Sequence, residues 1–286
     1  MEKQPNVFVR MIRGMGVFVG WMIDTRYWVE WVTSLLIIIA VLYVTAVAEP
    51  RHRLTPMPDG FLDPNLSFPI EPSIVSVIDL WVTILVVPFF VGMFSIAFGS
   101  TWLDVHHLLL SILQAVSLGH AFTDPMQMAV GRQRPTWFER IEDDSGIRSG
   151  RMSYPSGHAT YSTSAMMVLS LYLLSKIRVF RRDRYQMVLV VFGLSPIVIA
   201  VFIGTSRIMD HHHHFEDINA GFFIGTFTGF IGFHLNYPPV WNKNAGRPNT
   251  RGSRVYEKVK EKEEEARDKA FQGSRKGQDK GMKDNG

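Results

Sequence analysis

Three short polar clusters interrupt a chain otherwise built from long apolar runs: Gly131-Arg132-Gln133-Arg134-Pro135, Pro155-Ser156-Gly157-His158, and Ser206-Arg207 followed by His213 and Asp217. Between them they carry fixed cations, small residues that expose backbone amides, and two histidines, one with a carboxylate four residues further on. That inventory can hold the oxygens of a phosphate monoester, attack its phosphorus and protonate the departing oxygen.

Each cluster also has a plainer reading. Gln127 and Arg134 are seven residues apart, so a helix through both would set them on nearly one face, with Pro135 ending it. Arg134 can then offer its planar fork to phosphate oxygens, but an arginine close to Trp137 can equally snorkel to an interface. At the second cluster a helix N-terminus would leave amides for an anion, with the Ser156 hydroxyl and the proton carrier His158 beside them. The same residues suit an ordinary N-cap. In the third, a helical histidine and a carboxylate at i, i+4 share a face, so the carboxylate can fix the imidazole tautomer. Three pairs fit that spacing: His213 with Asp217, His212 with Glu216, and Asp210 with His214. The run His211 to His214 also has the composition of a transition-metal site.

The elements that must position these clusters are membrane helices. Crossing roughly 30 Å of hydrocarbon takes about 20 apolar residues, and six segments qualify: 29–47, 74–98, 103–122, 159–174, 187–204 and 218–235. Stretches 34–44 and 82–97 carry no charge on any face, which a soluble bundle would not tolerate. Pro88 and Pro196 fall inside spans, where neighbouring helices can accommodate them. The expected fold is all-α, a polytopic membrane protein with a six-helix transmembrane bundle. Residues 1–28 form an N-terminal arm along the membrane surface, 29–236 the membrane domain with a core at about 74–235, and 237–286 a charged cytosolic tail, with a solvated helix near 258–269 and disorder expected after it.

Basic residues set the orientation. The connection 176–184 holds Lys176, Arg178, Arg181, Arg182 and Arg184 against Asp183 alone, the N-terminal arm has Lys3, Arg10 and Arg13, and residues 241–286 hold thirteen Lys and Arg against eight Asp and Glu. With six spans all three lie on one face, the cytosolic one. The polar clusters then share the lumenal or extracellular face with the sequon Asn65-Leu66-Ser67. The overall excess of four positive charges does not point to nucleic acid. The absence of cysteine excludes disulfides and thiolate metal sites.

The three clusters in order resemble the type 2 phosphatidic acid phosphatase superfamily, in particular its six-span lipid phosphate phosphatases. The family pattern is Lys-x6-Arg-Pro, Pro-Ser-Gly-His and Ser-Arg-x5-His-x3-Asp. Here the second part is complete at Pro155 to His158 and the third at Ser206, Arg207, His213 and Asp217; the first has Arg134-Pro135 but Gln127 at the lysine position. The resemblance implies that His213 attacks phosphorus to form a phosphohistidine with Asp217 orienting it, and that His158 protonates the leaving alkoxide. It assigns the phosphoryl oxygens to Arg134, Arg207, Ser156 and the Gly157 amide, and it implies no metal and no magnesium dependence. Gln127 removes one positive charge from a site for a dianion; Arg132 is a substitute that, five residues from Gln127, points off the shared helical face, and Arg148 or Arg151 could reach in from the loop. The implied substrate is a lipid phosphate such as phosphatidate, lysophosphatidate, diacylglycerol pyrophosphate or a sphingoid phosphate. The competing readings are a weakly active or non-catalytic phospholipid-binding relative, an isoprenoid pyrophosphate phosphatase, a metal hydrolase using the histidine run, and a transporter using His106, His107 and His120. Buried hydrogen bonding or substrate lining is the simpler role for those last three.

Overall fold

The computed structural model describes residues 19–54, 62–98, 100–142, 146–181, 184–249 and 251–252. The tail helix expected near 258–269 and most of the N-terminal arm lie outside them. In chain order the helices are α1 (Tyr27–Val47), α2 (Val77–Ile96), α3 (Trp102–Val130), the short α4 (Trp137–Glu142) and α5 (Ile147–Gly150), then α6 (Gly157–Lys176), α7 (Gln186–Met209) and α8 (Phe215–Asn236). Six of them are long and apolar enough to cross a membrane, and the described residues contain no strands. Apolar side chains such as Leu36, Ile39, Phe90, Phe94, Val198 and Phe223 lie more than half exposed. Around a soluble bundle that surface would be untenable; around a membrane bundle it is what lipid contacts. The protein is a multi-pass membrane protein.

Two of the helices form the centre. Of the spanning windows, 72 % of α3 is buried and 67 % of the α6 segment, against 6 % for α1. α8 presses against α6 through a glycine stripe. A Cβ on Gly221 would lie 2.8 Å from the Ser156 carbonyl, one on Gly225 2.5 Å from that of Thr160, and one on Gly229 2.7 Å from that of Ser164. Small residues every four positions let membrane helices approach backbone to backbone, where packing and not water drives association. The stripe has a consequence for chemistry, because Asp217 is one turn before Gly221 and is carried against the start of α6. There the Ser156 amide donates to the Asp217 carbonyl at 3.0 Å.

α3 runs eight residues past the expected end at 122. The polar residues of the extension are satisfied inside the bundle: Thr123 donates to Thr160 at 3.1 Å, and Asp124 accepts from the Tyr161 hydroxyl. Pro88, Pro125 and Pro196 all sit inside continuous helices. Asn65 is exposed on a single 3-10 turn capped by Asp63.

At the opposite end of the bundle from the three clusters lies a second polar group. Asp104 pairs with Lys176 and accepts from the hydroxyls of Tyr172 and Tyr237, each at 3.0 Å. The Lys176 ammonium also reaches the Gly246 carbonyl at 2.7 Å. Of the described residues, 19–30 and 251–252 belong to a separate unit; in it Trp21 stacks on Tyr27 and Arg251 pairs with Glu30 at 2.5 Å.

Candidate active site

The three clusters meet at one end of the bundle. α3 ends at Gly131 in the left-handed region, φ 60, and a Cβ there would lie 2.0 Å from the Arg51 carbonyl oxygen, so only glycine fits. This corrects the expectation that one helix carries both Gln127 and Arg134: Arg134 lies past the break, and Gly131, not Pro135, makes the stop. The segment after it is sewn to the others by backbone bonds, Arg134 N–H to the Gly150 carbonyl at 2.8 Å and Ser153 N–H to the Arg132 carbonyl at 3.1 Å.

His213 likewise is not helical. α8 starts at Phe215 with His214 as its N-cap, so His213 sits in the connection before it and shares no helix face with Asp217. Its Nδ1 lies 2.7 Å from the Ser153 carbonyl and 3.7 Å from Asp217 Oδ2. A carbonyl only accepts, so Nδ1 carries the proton and Nε2 the lone pair. Ser153 therefore orients the ring, with Asp217 as a nearby charge and not its direct partner. Asp217 itself is fully buried. It accepts from the Ser153 hydroxyl at 2.6 Å, Arg132 at 2.9 Å and the His214 amide at 2.9 Å. Burial, and then the Arg134 charge, push the His213 imidazole down to about 4, with Asp217 opposing. Its lone pair is thus free throughout the neutral range.

His158 stands at the start of α6, within electrostatic range of Arg207, His213 and Arg134. Its buried Nε2 has no hydrogen-bond partner among the described residues. Ser156 is the N-cap of α6, its hydroxyl accepting from the Ala159 amide. The first helical amides, Gly157 and His158, are left over for an anion.

The two arginines are braced from behind. Arg134 donates from Nε to the Ser149 carbonyl at 2.9 Å and from one terminal nitrogen to the His212 carbonyl at 3.4 Å, leaving its other terminal NH2 available. Burial and the neighbouring Arg140 and Arg207 charges lower its pKa to about 10, still cationic at neutrality. Arg207 bonds the Val75 carbonyl at 2.5 Å and the Ser73 hydroxyl at 3.1 Å, and pairs with Asp210 at 2.8 Å. Its buried Nε–H has no protein acceptor among the described residues. More N–H groups than acceptors converge here, an arrangement suited to an anion with several oxygens.

Sequence reasoning missed Ser153, and it left Arg132 pointing away. Arg132 instead pairs with Asp217 and, at 3.1 Å, with Glu216. Gln127 does reach the site but donates to the Pro155 carbonyl at 2.7 Å, steadying the turn and adding no charge. Arg148 turns away to Glu49 and the Thr45 and Ala48 carbonyls, and Arg151 to His52 and the Trp137 ring, so neither replaces the lysine. The remaining histidines of the run diverge, His211 stacking on Phe68 and His212 bonding its neighbour Asp210. Among the described residues no three His, Cys, Asp or Glu side chains converge as a metal site would need.

Fold and site together define an integral-membrane protein with a cationic, two-histidine cluster at its helix ends, the architecture of a membrane phosphatase. Comparison with known proteins agrees. Residues 108–241 match the PAP2 superfamily. A PA-phosphatase related-family protein of Dictyostelium discoideum is 34 % identical over 190 residues, covering 65 % of this chain and 69 % of that one. Lipid phosphate phosphatase 2 of Arabidopsis thaliana is 29 % identical over 238 residues, 77 % and 80 % of the two chains. Lipid phosphate phosphatase 1 of the same plant is 27 % identical over 248, covering 80 % and 74 %. No solved structure matches significantly. The chain belongs to the PAP2 superfamily.

Proposed function

We propose that the chain is a metal-independent lipid phosphate phosphatase acting through a phosphohistidine. The observation that carries this reading is the bond from His213 Nδ1 to the Ser153 carbonyl, which fixes the lone pair on Nε2 in a ring too weakly basic to be protonated at neutral pH. His213 Nε2 attacks phosphorus and forms the N–P bond while the ester P–O bond breaks; His158 gives its proton to the leaving alkoxide. Water then attacks the phosphohistidine, His158 takes its proton, the N–P bond breaks and phosphate leaves. Arg134, Arg207, the Ser156 hydroxyl and the Gly157 amide hold the phosphoryl oxygens as charge redistributes. Asp217, tied down by Ser153 and Arg132, stabilises the imidazolium that forms. The arginines supply the positive field that a metal supplies elsewhere. Gln127 withholds one unit of that field, which favours a slow enzyme.

The site takes a lipid phosphate such as phosphatidate, lysophosphatidate, diacylglycerol pyrophosphate or a sphingoid phosphate, with the headgroup at the helix mouths and the chains in the bilayer. The basic 176–184 connection lies at the other end of the bundle, so the pocket faces the lumen or exterior. The test is phosphate release by purified protein in EDTA across a panel including isoprenoid pyrophosphates. We expect turnover of lipid phosphomonoesters, abolished by His213→Ala. Chelator-sensitive turnover, or turnover surviving His213→Ala, overturns the reading.

A further inference from the structure

A second polar group lies below the pocket and is used by none of the steps above. α3 presents Gln127, Asp124 and His120 along one stripe, three and four residues apart. Gln127 touches the turn beside the candidate site; Asp124 and His120 are about one and two turns deeper in the bundle. His120 Nδ1 lies 2.9 Å from Asp124 Oδ2, and the Tyr161 hydroxyl donates to Asp124 Oδ1. Because the carboxylate accepts, Nδ1 carries the proton and Nε2 is left as an acceptor. His120 is 4 % exposed, and its buried Nε2 has no hydrogen-bond partner among the described residues. Stranding a buried acceptor is costly, so folding alone does not account for this ring.

Its neighbours lie in two directions. The His120 ring stacks on Tyr161, centroids 4.0 Å apart, and Tyr161 is one turn along α6 from His158, close enough that a Cβ on Gly157 would meet its ring at 3.1 Å. On the other side Trp81 lies parallel to His120, centroids 5.8 Å apart. Trp81 is also one wall of a groove of about 490 Å³ among α1, α2 and α3, lined entirely by apolar residues including Trp31, Ile84, Phe89, Ile112 and Leu113. From the helix mouths inward the order is therefore cations, the unpartnered ring nitrogen of His120 and, beyond Trp81, hydrocarbon-lined space. A single-chain lipid phosphate with a donor beside its phosphoester has the same order of groups.

Resting on the reading of the chain as a lipid phosphate phosphatase, we propose that His120, held by Asp124 and Tyr161, and the groove behind Trp81 form a lipid-backbone subsite. The groove takes one hydrocarbon chain of the substrate. His120 Nε2 accepts from a hydroxyl or amide N–H within two carbons of the phosphorylated carbon. Lysophosphatidate-like and sphingoid-like phosphates are thus favoured over esters lacking such a donor.

The experiment uses the full chain in lipid nanodiscs and three substrates: lysophosphatidate, its 2-deoxy analogue of equal chain length, and a short water-soluble phosphomonoester. The wild type should prefer lysophosphatidate over the deoxy analogue by about tenfold in kcat/KM, the effect of one hydrogen bond to a neutral group. His120→Phe keeps the stacking ring and should erase that preference, with the deoxy and short substrates within about twofold of wild type. His120→Gln, which retains an acceptor, should restore part of it. Leu113→Trp, filling the groove, should raise KM for both long-chain substrates and leave the short one unchanged. Equal wild-type rates for lysophosphatidate and its deoxy analogue overturn the subsite. So does a His120→Phe loss shared by all three substrates, which marks a merely structural residue. Failure of the wild type to release phosphate from any of them is a different result and removes the phosphatase reading itself.

Discussion

The two ends of this bundle are both polar and both buried, yet they are built to opposite rules. Around Asp104 the donors and acceptors match: an ammonium and two phenol hydroxyls meet one carboxylate, and the ammonium's further bond goes to a backbone carbonyl. Around His213 donors are in excess. Arg134 keeps a terminal NH2, Arg207 its Nε–H and α6 its first amides, while the Ser149, His212 and Val75 carbonyls are taken up in bracing the arginines. A satisfied network in low dielectric rigidifies the fold, whereas an unsatisfied one is costly unless a ligand completes it. The first joins α3, α6 and the segment after α8; the second waits for an anion.

Substitutions that treat the two ends alike should separate them. Arg132→Gln removes the charge beside Asp217 and should lower kcat by about 10², the usual effect of one well-placed electrostatic contact, with a smaller stability loss than the next variant because the Ser153 hydroxyl and the His214 amide still hold the carboxylate. Asp104→Asn breaks the buried pair at the other end and should lower stability by on the order of 3 kcal/mol, with kcat per folded molecule within about twofold of wild type. Denaturation followed in detergent and rates normalised to folded protein check both; a stability loss without a rate loss in Arg132→Gln would erase the contrast.

Gln127→Lys adds a cation to the donor-rich end. An ammonium can keep the bond to the Pro155 carbonyl and turn its remaining hydrogens to phosphate, so the rate should rise by about tenfold or more. An unchanged rate would mean the arginines already saturate the need for charge.

The smallest effect is on pH dependence. A buried histidine whose native value is pushed down to about 4 stays neutral where an unfolded one, near 6.5, protonates. The nucleophile is therefore lost only as pH falls through about 4, and kcat/KM referred to the dianionic substrate should show no acid limb near 6.5. An acid limb near 6.5 would place His213 in an ordinary solvated setting.

Much of this was legible in the residues. Apolar run lengths give six spans, since hydrocarbon sets the length of a crossing helix, and Arg134, His158, Arg207, His213 and Asp217 come together at one end. Three things were not legible. Helical periodicity assumed continuous helices, so it placed Gln127 with Arg134 and His213 with Asp217; a left-handed Gly131 and an N-cap at His214 break both registers. The orienting group on His213 is a main-chain carbonyl, which no side-chain pattern encodes. The stripe Gly221, Gly225, Gly229 shows its role only once the chain is folded, because its partner, the start of α6, is some sixty residues away in sequence.

The direct test of the account is to trap the covalent state. Purified protein in EDTA is mixed with lysophosphatidate labelled in its phosphoryl group, quenched in alkaline denaturant that preserves phosphoramidates, and digested. The label should sit on the peptide carrying His213, vanish in His213→Ala, and accumulate in His158→Ala when a substrate with an activated leaving group is used. Labelled phosphate released with no labelled histidine, or label on His158, would contradict attack by His213.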